Sequence, residues 1–331
     1  MRLRQRAEIV LGFSILTFST CIHFGNGTDL SSFVGQVSRD VNDLRFFYYP
    51  TPNQEIEIDF DTFLLPYQHH YSSAIRFATP SVLIIDGFLS NRTSPMSIAL
   101  KNAYASWGTL NVFVLDWGSL SGAESTLGNP IRTASTYKIV LSNVSRVGRR
   151  VAEFLNFLRE SNMIEFGDVT LIGESLGAHV AANAAQAVQV ISGIKIGRVV
   201  GLDPAGPLTQ NIKTLNRRDA NFVDIYHTNR GLLGTINDGG HVNIYVNGGT
   251  TQPGCLQTDF TGIMGFCSHS YSWKFFQTAF NNRFVACPCR SPIGCKCPRC
   301  ENKCGAKGIV VGPNIPTWAR GLYYVRAGPL N

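Results

Sequence analysis

Ser175 sits in the segment Val169-Thr170-Leu171-Ile172-Gly173-Glu174-Ser175-Leu176-Gly177-Ala178-His179. This is an apolar run, a Gly-x-Ser-x-Gly turn and the start of an alanine-rich stretch. A serine hydroxyl is a poor nucleophile unless a histidine takes its proton and an acid orients that histidine. Strand, sharp turn and helix in this order hold the hydroxyl out towards an acyl carbonyl, and the first helical N–H groups face the charge that develops there. In a chain with 32 glycines among 331 residues the bare motif is a weak signal. Its context strengthens it: Val169–Ile172 reads as a strand, and Val180, Ala181, Ala182, Ala184 and Ala185 read as a helix.

The partners of the serine are sought further along the chain. In sheets that carry such an elbow the order is Ser, acid, His, each at or just beyond the C-terminal end of a strand. Asp203 ends the apolar run Val199-Val200-Gly201-Leu202, one strand–helix unit after Ser175. Seven histidines compete for the role of base. His23, His69 and His70 lie upstream of the sheet core. His179 falls inside the helix after the serine, where packing or capping is the expectation, and His227 and His241 fall on strands or their ends. His269, late in the chain at the start of a helix, leads on order alone.

The elements that must position these residues alternate. Leu44–Tyr49 predicts a strand ended by Pro50 and Pro52, Ser81–Ile85 and Val112–Leu115 predict buried strands, and the latter leads into Asp116-Trp117. From Thr136, Tyr137, Val140, Val144, Val147, Val151, Phe154 and Leu158 recur at helical spacing. The helix after Ser175 is expected to reach about Ile191. Phe222–Tyr226 and Val242–Val246 predict later strands, and His269–Phe280 the last long helix. The pattern predicts an α/β fold, a mostly parallel sheet with helices on both faces.

Composition and processing signals set the frame. The length suits one large α/β domain, with no internal repeat or low-complexity linker. Arg2, Arg4 and Arg6 ahead of the apolar Ile9–Leu16 give residues 1–25 the layout of a secretory signal peptide, leaving 26–331 as the folded domain. Without Cys21, eight cysteines remain, six of them in the cysteine-rich segment 287–304. In an oxidising compartment these predict four disulfides rather than a zinc site. Asn26, Asn91 and Asn143 each begin an Asn-x-Ser/Thr glycosylation acceptor. The net charge of +7 favours an anionic lipid surface, and no nucleic-acid motif accompanies it.

Several blocks then converge. Gly201-Leu202-Asp203-Pro204-Ala205-Gly206-Pro207, the Gly-x-Ser-Leu-Gly-Ala-His elbow, Val114-Leu115-Asp116-Trp117, Phe222-Val223-Asp224, His227-Thr228, Tyr245–Gly249 and Cys267-Ser268-His269-Ser270 together resemble the animal pancreatic-lipase family over roughly residues 43–325. The resemblance implies an α/β-hydrolase fold, with Ser175 as nucleophile, Asp203 as acid and His269 as general base. It implies an oxyanion hole from the N–H groups of Leu176 and Phe88. The loop Asp86-Gly87-Phe88 departs from the family's His-Gly-Phe, and a carboxylate there would oppose the oxyanion unless it turns away or is hydrogen-bonded. Glu174 is a second unusual acid beside the serine.

The resemblance also bears on substrate. It implies a Cys255–Cys267 bridge framing a short lid of eleven residues, Leu256–Phe266, similar to that of secreted phospholipases A1. The loop Asn229–Gly239 is short as well. Within the lid Phe260, Ile263, Met264 and Phe266 are expected to be exposed at a lipid interface. The chain reaches Asn331 without the family's C-terminal β-sandwich, so no colipase-type partner is expected, and a monomer acting on lipid at an interface is. In Asn211–Asp219, which matches a calcium site of some members, only Asp219 keeps a carboxylate, so neither a metal nor a cofactor is expected. The resulting expectation is a secreted phospholipase A1. Triacylglycerol or galactolipid lipase is the alternative, and a yolk-like lipid-binding protein on the same fold the second.

Overall fold

A computed structural model describes residues 37–60, 74–125, 130–261, 265–291, 304 and 307–330. The segment 1–25, His23, Asn26, His69 and His70 lie outside them. So do Ile263 and Met264 and the side chain of Phe260. Among the described residues no helix is long and apolar enough to cross a membrane.

Among the described residues eleven strands form one sheet. In chain order they are β1 (Arg45–Thr51), β2 (Gln54–Ile58), β3 (Ser81–Ile85), β4 (Asn111–Asp116), β5 (Val169–Glu174), β6 (Ile196–Leu202), β7 (Ala220–His227), β8 (Val242–Val246), β9 (Phe284–Cys289), β10 (Ile309–Val311) and β11 (Gly321–Val325). Their spatial order is β10-β9-β11-β8-β7-β6-β5-β3-β4-β1-β2. The run from β4 through β11 is parallel, and antiparallel strands close both edges. The α/β-hydrolase expectation holds.

Parallel strands need helical crossovers, and these cover both faces. The helices are α1 (Pro95–Ala105), α2 (Gly118–Ser121), α3 (Pro130–Glu160), α4 (Leu176–Ser192), α5 (Leu256–Thr261) and α6 (Phe266–Thr278). Because strand side chains alternate, each strand feeds two cores. Leu83, Ile85, Phe113, Leu115, Leu171 and Val223 pack under α3 and α4. Val82, Ile84, Val112, Val114, Ile172 and Tyr226 face α1 and α6. The helical stripe read from the sequence is what α3 buries: Val140, Val144, Val147, Val151, Phe154 and Leu158 are fully enclosed. Removing a side chain such as Phe154 would cost about 3–5 kcal/mol.

Two expectations need correction. β1 does not stop before Pro50 but runs to Thr51. Its pairing with β2 shifts register between Tyr48 and Thr51, where a residue with no N–H to donate is tolerated. Asn143 is not an available glycosylation acceptor. It lies inside α3, fully buried, and its Nδ2 donates to Ser38 O at 2.9 Å and Leu120 O at 3.1 Å. Asn91 stays partly exposed in the turn before α1.

Candidate active site

Four chain segments meet at the C-terminal ends of the parallel strands, where α/β sheets place their sites. Ser175 joins β5 to α4 with φ 54° and ψ −120°, a strained conformation for a residue with a side chain. The turn is tight enough that a Cβ on Gly173 would strike the Gly177 backbone and one on Gly177 would strike Ile85 O. Ser175 N–H donates to Leu202 O at 3.1 Å, and Ser175 O accepts from Ala205 N at 3.1 Å. The elbow is therefore tied to the loop that carries Asp203.

Asp203, also at positive φ (42°), is fully buried beyond β6. Its Oδ1 accepts the backbone N–H groups of Thr228 (2.9 Å) and Asn229 (3.1 Å), and its Oδ2 meets His269 Nδ1 at 2.6 Å. A carboxylate held this way keeps the proton on Nδ1 and leaves the Nε2 lone pair facing the elbow. Burial alone would lower the His269 imidazole. Glu174 and Asp203 outweigh it and leave it raised above its ordinary value. Among the described residues the Ser175 hydroxyl makes no hydrogen bond, so the acid–base half of the array is closed and the base–nucleophile half is open. Such bonds tighten when substrate binds.

His269 is carried by the first turn of α6, which several groups lock in place. Cys255 and Cys267 are bridged with Cα atoms 5.4 Å apart, as the resemblance implied. Asp259 in α5 is buried and accepts Cys267 N (2.8 Å), Ser268 N (3.2 Å) and Ser268 Oγ (2.5 Å), so it supplies the end of α6 with the acceptor its free N–H groups require. Gln252 N–H donates to Ser268 Oγ, while Gln252 Nε2 donates to Thr228 O and Val246 O. Nothing in the sequence pattern marked Asp259 or Gln252. Around the lid, Leu256 and Phe266 are 62% and 56% exposed.

On the other side of the serine runs Asp86-Gly87-Phe88. Asp86 is buried, and its carboxyl accepts Gly87 N at 2.8 Å and Ser97 Oγ at 3.1 Å. Burial raises it above the usual carboxylate range, against those two bonds. It is thus engaged by its own loop and by the first turn of α1. Trp117, from the Asp-Trp pair at the end of β4, donates Nε1–H to Asp86 O at 3.0 Å and anchors the loop from behind. Gly87 N–H is taken by Asp86, whereas the Phe88 and Leu176 N–H groups donate to no other described group. They are the two amides available to a developing oxyanion. The Phe88 ring meets Tyr137 edge-on at 5.1 Å, and Tyr137 Oη–H donates to Pro207 O at 2.9 Å.

The other histidines do different work. His179 Nε2 bonds Ala205 O at 2.8 Å and its Nδ1 accepts Leu215 N–H at 3.2 Å. Burial pulls it down to about 4, so it is a neutral brace under the Asp203 loop. His227 stacks on Tyr245 at 4.9 Å, and His241 Nδ1 accepts Val223 N–H. In the segment matched to a calcium site, Asp219 is occupied by the Lys213 ammonium at 2.5 Å and by Asn216 N–H at 2.8 Å. Among the described residues no group of three or more His, Cys, Asp or Glu is placed to hold a metal ion. In the cysteine-rich segment Cys287 bridges Cys304, and Cys289 is also disulfide-bonded, to a partner outside the described residues.

With this geometry in place, the family is decided by comparison with known sequences: the sequence model of the Lipase family matches residues 25–314. The chain belongs to the Lipase family. It is 32% identical over 249 residues to Phospholipase A1 2 of Vespa affinis, covering 74% of this chain and 72% of that one. It is 32% identical over 251 residues to Phospholipase A1 of Vespa crabro, covering 74% and 80%. Lipase member H of Mus musculus is 32% identical over 249 residues, 72% of this chain but 51% of that protein, so this Lipase-family chain spans about half of that relative's length.

Proposed function

We propose that this Lipase-family chain is a secreted serine hydrolase of lipid esters whose preferred bond is the sn-1 acyl ester of phospholipids. The observation that carries the reading is the convergence on one elbow of Ser175, the Asp203–His269 pair at 2.6 Å and two amides without other acceptors. Ser175 Oγ attacks the acyl carbonyl while His269 Nε2 takes its proton, and Asp203 stabilises the imidazolium at Nδ1. The carbonyl oxygen becomes an oxyanion facing the Phe88 and Leu176 N–H groups, a placement for which one donor is worth roughly 10²–10³ in kcat. Collapse breaks the C–O bond, and His269 returns the proton to the departing lysophospholipid alcohol. Water, deprotonated by His269, then splits the acyl-enzyme and frees the fatty acid.

The phospholipid preference is supported by the short span between Cys255 and Cys267 and by the names of the Vespa relatives. The exposed Leu256 and Phe266, next to the bridged Cys255 and Cys267, suit contact with a lipid surface. Secretion is supported by the layout of residues 1–25 and by the disulfides. The test is fatty-acid release by the purified protein from phosphatidylcholine labelled at sn-1, beside triolein, with Ser175→Ala as blank. Release from sn-1 that vanishes in the variant is expected. Release from triolein alone would reassign the substrate, and release from neither would leave a lipid-binding protein on a hydrolase fold.

A further inference from the structure

Glu174 has no part in the mechanism above, yet it is placed where that mechanism is most sensitive. It is the last residue of β5 and is buried, 8% exposed. Its Oε1 stands 3.6 Å from His269 Nε2, the nitrogen that must accept the serine proton. Its other oxygen lies against the oxyanion loop: a Cβ on Gly87 would fall 2.5 Å from Glu174 Oε2 and 2.9 Å from Ser175 Cβ. Asp203 spends its oxygens on two backbone N–H groups and Nδ1, and Asp86 spends its own on Gly87 and Ser97. The Glu174 carboxyl makes no hydrogen bond among the described residues.

We propose that Glu174 is a positioning carboxyl for the proton of His269, set on the Nε2 side opposite Asp203, and that it fixes the pH at which the imidazole becomes free to deprotonate Ser175. This rests on reading Ser175 and His269 as nucleophile and base. One proton shared between the two side chains has two places to sit. On Glu174 it leaves Nε2 bare and the base competent. On Nε2 it makes an imidazolium that faces a carboxylate and cannot accept from Ser175.

The charged groups that act on Glu174 are His269 from α6, Asp86 from the loop after β3 and Asp203 from the loop after β6. Burial favours the neutral Glu174 carboxyl and Asp86 and Asp203 add to that, while the His269 imidazole pulls it back towards its charged form. The pair therefore holds one proton through neutral pH, and a charged Glu174 draws that proton to Nε2 across 3.6 Å. The same geometry makes a charged Glu174, together with Asp203, favour a charged His269. Without its charge, burial would pull the imidazole back down, and the base would become competent at lower pH.

The experiment compares the full chain with its Glu174→Gln and Glu174→Asp variants. Ser175 labelling by a fluorophosphonate is followed from pH 4.5 to 9, and the His269 ring is titrated by NMR in protein with isotope-labelled histidine. In Glu174→Gln the acid limb of labelling and the His269 titration should both move down by about one pH unit, a tenfold gain in labelling rate on that limb. Glu174→Asp should retain part of the wild-type profile, since a shorter carboxyl is still a charge. A purely structural Glu174 would change melting temperature or overall rate and leave both profiles where they were, and that result overturns the proposal. Should Ser175 resist labelling in every form, the hydrolase reading fails, while the His269 titration still decides the part played by Glu174.

Discussion

Outside the reacting groups, the buried His179 ties the stability of the fold beneath Asp203 to pH. Its ring is 1% exposed and its two nitrogens have opposite duties, Nε2–H donating to Ala205 O and Nδ1 accepting from Leu215 N–H. Protonation would bury a charge and turn the acceptor for Leu215 into a second donor. The sign follows from a folded value of about 4 against an ordinary 6.5. The unfolded chain binds the proton more readily, so the stabilisation is complete above about pH 6.5 and is lost as pH falls towards 4. At about 1.4 kcal/mol per pH unit the full gap is worth about 3 kcal/mol, and about 2 kcal/mol of it should be gone by pH 5. Urea unfolding of the wild type and of His179→Gln at pH 7 and pH 5 isolates this contribution, because other titrating groups act equally on both. The variant should be less stable at pH 7, having lost two buried hydrogen bonds, and should lose about 2 kcal/mol less than the wild type on acidification. Parallel pH dependence in the two proteins would refute the reasoning, since it would mean that the imidazole titrates normally and is not the neutral brace beneath Asp203.

Other expectations are simpler to check. Asp203→Asn keeps an oxygen for Thr228 and Asn229 but presents an amide NH₂ to Nδ1, reversing the tautomer of His269; kcat should fall on the order of 10⁴ with little change in melting temperature, and a fall under tenfold would remove Asp203 from the array. Serine at both Cys255 and Cys267 opens a bridge of sequence separation 12 and should cost about 3 kcal/mol in chemical unfolding, with activity falling further because α6 carries His269. Chelation with EDTA should leave the melting temperature unchanged, since the Lys213 ammonium already fills the charge requirement of Asp219. A drop of several degrees would reveal a bound cation.

What could be read from the sequence divides along physical lines. The central strands and α3 were legible because burial on both faces writes continuous apolar runs, and burial on one face writes a helical stripe, as Ser81–Ile85 and Val140–Leu158 show. Ser175, Asp203 and His269 were legible because chain order and local motif coincide, and the structure brings Asp203 and His269 into contact across 66 positions. Asn143 misled because an Asn-x-Ser triplet carries no information about burial. Only the packing of α3 against Ser38 and Leu120 shows that its amide is spent internally.

The remaining features depend on distances that no local pattern encodes. Asp259 caps α6 from another helix, eight residues before Cys267, a spacing outside the usual capping box. Asp86 looked hostile to an oxyanion from its type alone. In three dimensions its oxygens turn to Gly87 N–H and Ser97 Oγ, and the amide it consumes is neither of the two left open. Glu174 was visible as an oddity beside the serine, but its weight comes from which imidazole nitrogen it faces. Asp203 and Glu174 bracket the same ring, one bonded at 2.6 Å to the nitrogen that keeps its proton and the other 3.6 Å from the nitrogen that must exchange one. A carboxyl on the first side orients the base and stabilises its charged form without competing for the serine. A carboxyl on the second side competes, and so the same functional group, moved across a ring, sets when the chemistry can begin rather than how fast it runs.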